Sequence, residues 1–395
     1  MPSSPKSPAH VFGRTRPSQG GTQLRLHTTP PRDTHYRPFS EGPGKPPYQL
    51  DIKSILPAGS YSAIARKKKL TFHFNGDMGG IQYAVPQELV AKGMEADFHP
   101  GSDPSENPAF LYIVGDCVYF NGEVKEYYKQ FYQPYEFYPG PIFAVPGNHD
   151  GENLPDDDTL KGFTRNFCAK RPVKMPESGD SLRTAMVQPS VYWTLLTPVA
   201  SFVGLYTNVP AGGEVRQSQT AWLVTQLKTL PQDRPLIVTM HHPIYSADDY
   251  HSGSTIMKNM LEGAVKSAGG RHPEMVVAGH VHDYQRLTKN MPNGVQVPYL
   301  VTGAGGYHNL HQVMKVNGQH LVPPVVFNDK DGDPVTLERY SDDRFGFLRM
   351  EITNRLITGR YYTVPRPQEP YSKGSQLFDY FEFDWRKKRW IPNAF

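Results

Sequence analysis

The stretch PIFAVPGNHD, residues 141–150, sets a short apolar run against a turn of polar residues. β-branched and aromatic residues in so short a run predict a buried strand, and the following Pro and Gly predict where it stops. The same arrangement recurs on both sides. LTFHF at 70–74 runs into Asn75-Gly76-Asp77-Met78-Gly79, and AFLYIV at 109–114 into Gly115-Asp116-Cys117-Val118-Tyr119. LIVTM at 236–240 leads to His241, and MVVA at 275–278 to Gly279-His280-Val281-His282. Further strands are predicted at 191–196, 201–206 and 297–303. Helix-like stretches at 86–94, 122–132, 217–230 and 254–269 alternate with them. Such alternation argues for βαβ units, and the back-to-back strands at 191–206 and 346–362 for added antiparallel pairing.

The chain has 395 residues with 42 Lys+Arg against 38 Asp+Glu, enough to bury a large α/β core. No apolar run approaches the roughly 18 residues of a membrane span, so an integral membrane protein is excluded. Two Cys, Cys117 and Cys168, cannot form a disulfide framework or a thiolate zinc site, whereas 15 His point to imidazole and carboxylate ligands for any metal. Residues 1–65 hold eight basic and three acidic residues and 11 of the 38 Pro. They read as a Pro-rich basic segment, irregular or disordered, ahead of a catalytic domain at 66–395. The basic pI of about 8.7 belongs to that segment; the remainder is nearly neutral, and nucleic acid is not expected as a main partner. No apolar signal-peptide core and no N-glycosylation sequon in 70–395 are seen, which favours a cytoplasmic setting. Residues 312–345 read as a loop insertion. Its NDKDGD stretch has the composition of a calcium loop but lacks the Glu six residues past the turn Gly.

Loops at the carboxyl ends of parallel strands converge on one crevice, and Gly beside a ligand lets the backbone come close. Five such loops therefore bring Asp, Asn, Tyr and His together. Two hard cations about 3.5–4 Å apart need anionic oxygens, one of them bridging, with imidazoles completing the shells; sites of that kind transfer phosphoryl groups to water. Burying these side chains without metal would be costly.

The series GDxG, GDxxY, GNH[DE], VxxH and GHxH resembles the calcineurin-like metallophosphoesterase superfamily, over roughly residues 70–310. The first pattern lacks the His usual in the superfamily, and Tyr119 stands three residues after Asp116. That exchange is similar to the purple acid phosphatase branch in its compact single-domain form. The resemblance implies an α/β fold, a four-layer α/β/β/α sandwich of two mixed sheets. It implies Fe(III) on Asp77, Tyr119 and His282, a divalent Fe, Zn or Mn on Asn148, His241 and His280, and Asp116 as the bridge. His149 would hold the substrate phosphate, with His251 as a second substrate His. The implied reaction is hydrolysis of small phosphate monoesters by attack of a metal-bound hydroxide. A dimetal phosphodiesterase or nucleotide hydrolase is the alternative, and a non-catalytic scaffold a remote one. Elsewhere, His73, His99 and His272 read as ordinary core or surface residues. His242 and Tyr245 read as outer support or rim, and His308 as part of a turn or the rim. Asp283 and Arg286 would orient ligands or cap a turn.

Overall fold

The computed structural model describes residues 26–27, 41–151, 160–208, 212–329 and 331–392. Each of the short apolar runs forms a strand. Period-two alternation along them builds two packing surfaces at once. In the strand Leu111–Val114, Tyr112 and Val114 join one buried cluster, and Leu111 and Ile113 the other. Ile142–Val145 divides in the same way, with Phe143 and Val145 on the first side and Ile142 and Ala144 on the second. Strands buried on both faces must belong to sheets covered on both faces.

Two sheets result. The seven-stranded one runs Arg389–Trp390, Gln376–Asp384, Leu356–Thr363, Gly346–Thr353, Lys69–Asn75, Leu111–Val114, Ile142–Val145. The nine-stranded one runs Val325–Asn328, Pro334–Ser341, Tyr284–Asn290, Gln296–Thr302, Met275–Ala278, Leu236–Met240, Ser201–Gly204, Trp193–Leu196, Gln49–Asp51. Both mix parallel and antiparallel pairs. Aromatic rings fill the layer between them: Tyr112 stacks on Trp193 at 6.0 Å, and Tyr284 on Tyr361 at 3.9 Å. Polar groups placed there find partners across the layer, as Thr239 Oγ1 does in donating to Tyr112 Oη at 3.1 Å. The helices Val85–Glu95, Gln217–Thr229 and Thr255–Ser267 turn apolar residues such as Val90, Leu223 and Leu261 into the second cluster. The last of these starts where Ser254 Oγ accepts the Met257 N–H, a side-chain N-cap. The expected two-sheet α/β architecture is what the chain adopts. Among the described residues no helix is long and apolar enough to cross a membrane.

Three elements differ from the sequence reading. Residues 49–67 are not irregular: Gln49–Asp51 pairs parallel with Trp193–Leu196 at the sheet edge, and Ala58–Lys67 is a helix. The three-residue strand is too short for a period-two pattern, and neighbouring Pro hid it. The remainder of 1–40, apart from 26–27, lies outside the described residues. Residues 312–345 are not only loop. Val325–Asn328 and Pro334–Ser341 form an antiparallel pair that extends the nine-stranded sheet beside Tyr284–Asn290. Finally, 122–132 is a single 3₁₀ turn followed by the π-helical turn Tyr128–Tyr132, not one α-helix.

Candidate metal centre

The strands Lys69–Asn75, Leu111–Val114 and Ile142–Val145 are mutually parallel, as are Leu236–Met240 and Met275–Ala278. Their carboxyl ends therefore deliver five loops to one end of the layer pair. The backbone bends hard there. Asp77, Asp116 and His280 have φ of 55°, 51° and 69°, a left-handed conformation that costs a non-Gly residue about 1 kcal/mol. Strain of this kind is held by its surroundings and gathers at functional sites. Gly279 allows the loops to meet: a Cβ on it would lie 2.6 Å from Asp77 Oδ2 and 2.8 Å from the Val114 carbonyl oxygen.

Two triads of donor atoms follow. In the first, Tyr119 Oη lies 3.3 Å from Asp77 Oδ1 and 3.4 Å from His282 Nε2, and these last two are 3.5 Å apart. In the second, Asn148 Oδ1 lies 3.0 Å from His280 Nδ1 and 3.1 Å from His241 Nε2, and the two nitrogens are 3.3 Å apart. Asp116 joins them, with Oδ2 3.3 Å from His241 Nε2 and its carboxylate beside Tyr119. All seven sequence-predicted ligands are thus brought together, and all are buried.

The chemistry of these atoms suits cations. His241 Nδ1 lies 2.9 Å from the Val114 carbonyl oxygen and His282 Nδ1 2.7 Å from that of Asn309, contacts in which only an N–H can serve. In a neutral ring that leaves Nε2 as a lone pair aimed at other acceptors, and carbonyl partners of this type orient metal-binding imidazoles. Burial opposes a charge on His241, but Asp116 and Asp77 overcome it and raise the ring to about 9. His280 and His251 move the other way, well below the usual range, through burial and neighbouring imidazoles. Burial likewise works against the Asp116 carboxylate, yet His241 and His149 hold it well below the usual range. Burial, then Asp116 and Asp77, push the Tyr119 phenol well up. His241 belongs to two groups whose ligand atoms all fall within 4.8 Å: one with Asp77 and Asp116, the other with His242 and His280. Of these, His242 is engaged elsewhere, its Nδ1 2.8 Å from Thr207 Oγ1.

His149 stands against the first triad, its ring 4.4 Å from that of Tyr119 and its Nδ1 donating to the Phe120 carbonyl oxygen at 2.8 Å. Its backbone N–H donates to Asp116 Oδ1 at 2.9 Å. His251 faces the second triad, 4.3 Å from the His280 ring. The remaining candidates fall as follows. His73 is a satisfied core residue, held between Tyr138 Oη and Asp97. His99 is exposed. The half-buried His308 ring packs on Tyr307 at 4.5 Å, next to the stack on Tyr119. Arg286 turns away from the donors to a bidentate pair with Asp379.

Sequence reasoning missed four supporting residues. Asp150, following His149, accepts the N–H groups of Gly147, Cys117 and Val118 and so ties two of the loops together; burial and Asp116 raise it to about 7. Tyr307 lies flat on Tyr119 at 4.0 Å. His311 lies on His282, and Asp248 sits behind both His251 and His311. Asp150 was already visible in GNHD; the other three occupy loops whose sequence carries only turn chemistry.

The family model for calcineurin-like phosphoesterases matches residues 70–284, over half of the chain. The chain belongs to that family. Its sequence is similar to a probable purple acid phosphatase of Arabidopsis thaliana, 26% identical over 154 residues, which is 38% of this chain and 33% of the relative. The match thus spans about a third of the relative's length. In structure it is similar to GAP50, the anchor in the inner membrane complex of Plasmodium, with a TM-score of 0.52 at 16% identity over 80% of this chain and 89% of that one. It is also similar to PhoD, with a TM-score of 0.51 at 13% identity over 83% and 72%. These structural likenesses show a shared fold, which the family model identifies as that of a phosphoesterase.

Proposed function

We propose that this phosphoesterase is a dimetal phosphatase of the purple acid type, hydrolysing small phosphate monoesters. The observation that supports it is the pair of donor triads, each within 3.5 Å and joined by Asp116. Asp77, Tyr119 and His282 would hold Fe(III); Asn148, His241 and His280 a divalent Fe, Zn or Mn; Asp116 both. Bound there, the two ions would supply Lewis acidity at the phosphoryl oxygens and a water acidic enough to act as nucleophile near neutral pH.

The chain's own groups do the rest. The Val114 and Asn309 carbonyls fix the rings of His241 and His282, so that little reorganisation is needed when charge develops. Phe120 fixes the ring of His149 above Tyr119, from where its protonated form would hydrogen-bond a phosphoryl oxygen. His251, kept neutral by burial and its neighbouring imidazoles, would offer a ring N–H to the phosphoryl group from beside His280. Tyr307 covers the face of Tyr119 and keeps water from it. The catalytic unit would be residues 66–395, with the sheet extension at 325–341 part of it.

The test is a comparison of rates on an aryl phosphate monoester and its diester, before and after chelation and after return of metal. Monoester hydrolysis that exceeds diester hydrolysis and follows the metal is expected. Faster diester hydrolysis would move the protein to the diesterases. No turnover with two metals bound per chain would leave a scaffold.

A further inference from the structure

The loop at 303–313 lies outside the five motifs, yet it wraps the first triad. Gly305 N donates to the Gly76 carbonyl oxygen, Tyr307 N to that of Asp77, and His311 N to that of His282, at 3.1, 2.9 and 3.0 Å. It ends with the His311 ring lying on the His282 ring at 4.3 Å, 29° from parallel. A second loop, 246–251, carries His251 beside the other triad. The two loops are zipped together: Met314 N donates to the Ala247 carbonyl oxygen at 2.8 Å and Asp249 N to that of Gln312 at 2.9 Å.

One buried carboxylate sits in the seam. Asp248 Oδ2 accepts the backbone N–H of His251 at 2.5 Å and of Tyr250 at 3.1 Å, and lies 3.4 Å from His311 Nδ1. The result is that His251 and His311, 60 residues apart in sequence, stand with rings 4.7 Å apart. Tyr250, 43% exposed, packs edge-on against His251 and marks where this wall meets solvent. An imidazole whose Nδ1 faces Asp248 turns Nε2 the other way. His149 stands elsewhere on the centre, its ring 4.4 Å from that of Tyr119.

We infer that His311 is a further substrate-contacting residue. With His251 it forms a two-imidazole wall, set by Asp248, that binds non-bridging oxygens of the phosphoryl group. This rests on the phosphatase reading and deepens it: the substrate phosphate would be held by an imidazole supplied by a loop outside the motif set as well as by His149 and His251.

The experiment is calorimetric binding of inorganic phosphate to the metal-loaded full chain, alongside metal content and steady-state rates, for the parent, His311→Ala and His311→Gln. Loss of one hydrogen bond to a charged oxygen weakens binding about 10- to 100-fold. His311→Ala is expected to lose phosphate affinity by that factor, to raise KM more than it lowers kcat, and to keep two metals per chain. His311→Gln, which retains an amide donor, is expected to stay within a few fold of the parent. Parent-like affinity in the Ala variant would overturn the inference while leaving the phosphatase reading intact. Loss of metal in both variants would also overturn it, by making His311 a support for His282. A parent that binds no phosphate and turns over no ester would overturn both readings together.

Discussion

Asp329 and Asp116 are both buried carboxylates, and the chain surrounds them differently. Asp329, in the NDKDGD stretch, meets Lys258 Nζ at 2.5 Å and Lys289 Nζ at 3.3 Å, and the same two ammonium groups reach Asp331 and Asp333 at 2.5 Å each. Both lysines are themselves buried. Burial opposes the Asp329 charge, but Lys258 and its neighbours hold the carboxyl below its usual range. In the loop whose composition suggested calcium, the buried Asp329 is thus neutralised by the protein's own ammonium groups. Around Asp116 stand imidazoles, a phenol, an amide and Asp77, with Asp150 close enough to be raised by it. Acidic residues are equally plentiful in both places. What separates a structural cluster from a metal centre is whether the fold brings ammonium groups or lone pairs to the carboxylates.

The contrast can be broken most forcefully at Asp116. Asp116→Asn should lower turnover on the order of a thousandfold and drop bound metal below two per chain. The melting temperature of the metal-free protein should barely move. Turnover assays, elemental analysis and thermal melts check this; a stable variant with two metals and full activity would remove Asp116 from the centre. At the other cluster the expected loss is stability. Lys258→Met strips a buried partner from Asp329 and should cost about 3 kcal/mol in denaturant unfolding, with metal content unchanged. An effect of similar size separates the two by linkage. Chelation should lower the parent's unfolding free energy by about 2–4 kcal/mol, since metal binds the folded chain, and Lys258→Met should lose the same amount. Unequal losses would mean the two clusters are coupled.

The smallest effect concerns a third buried polar site. Burial lowers the pKa of His73 more than its contact with Asp97 raises it. The unfolded chain takes up that proton near pH 6.5 while the folded chain resists, so stability is lost as pH falls below about 6.5. Between pH 8 and 5.5 the parent should lose more stability than His73→Gln in paired denaturant curves. Equal losses would show that the proton enters the folded state as easily as the unfolded one.

Much of this was legible from sequence because the informative signals were local. A short apolar strand followed by Gly and a donor residue announces both an element and a ligand; Asp77, Asp116, Asn148 and His280 each stand in such a stretch, and His241 follows its strand directly. Two strands that are very short or border a polar turn were hidden. Gln49–Asp51 is only three residues long, and Val325–Asn328 flanks a turn so polar that it reads as loop. His311 and Asp248 were invisible for another reason. Each gains its role from pairing between two loops distant in sequence, which no local spacing encodes. The lysines that neutralise Asp329 are equally remote, from the helix Thr255–Ser267 and the strand Tyr284–Asn290, so composition alone could not separate that loop from a cation site.

The central claim is that these donors hold metal through Tyr119. The most direct measurement is the visible absorption spectrum of the iron-loaded, oxidised protein beside Tyr119→Phe. A broad tyrosinate-to-Fe(III) band in the parent that vanishes in the variant is the predicted result. A colourless parent with two metals bound per chain would contradict it.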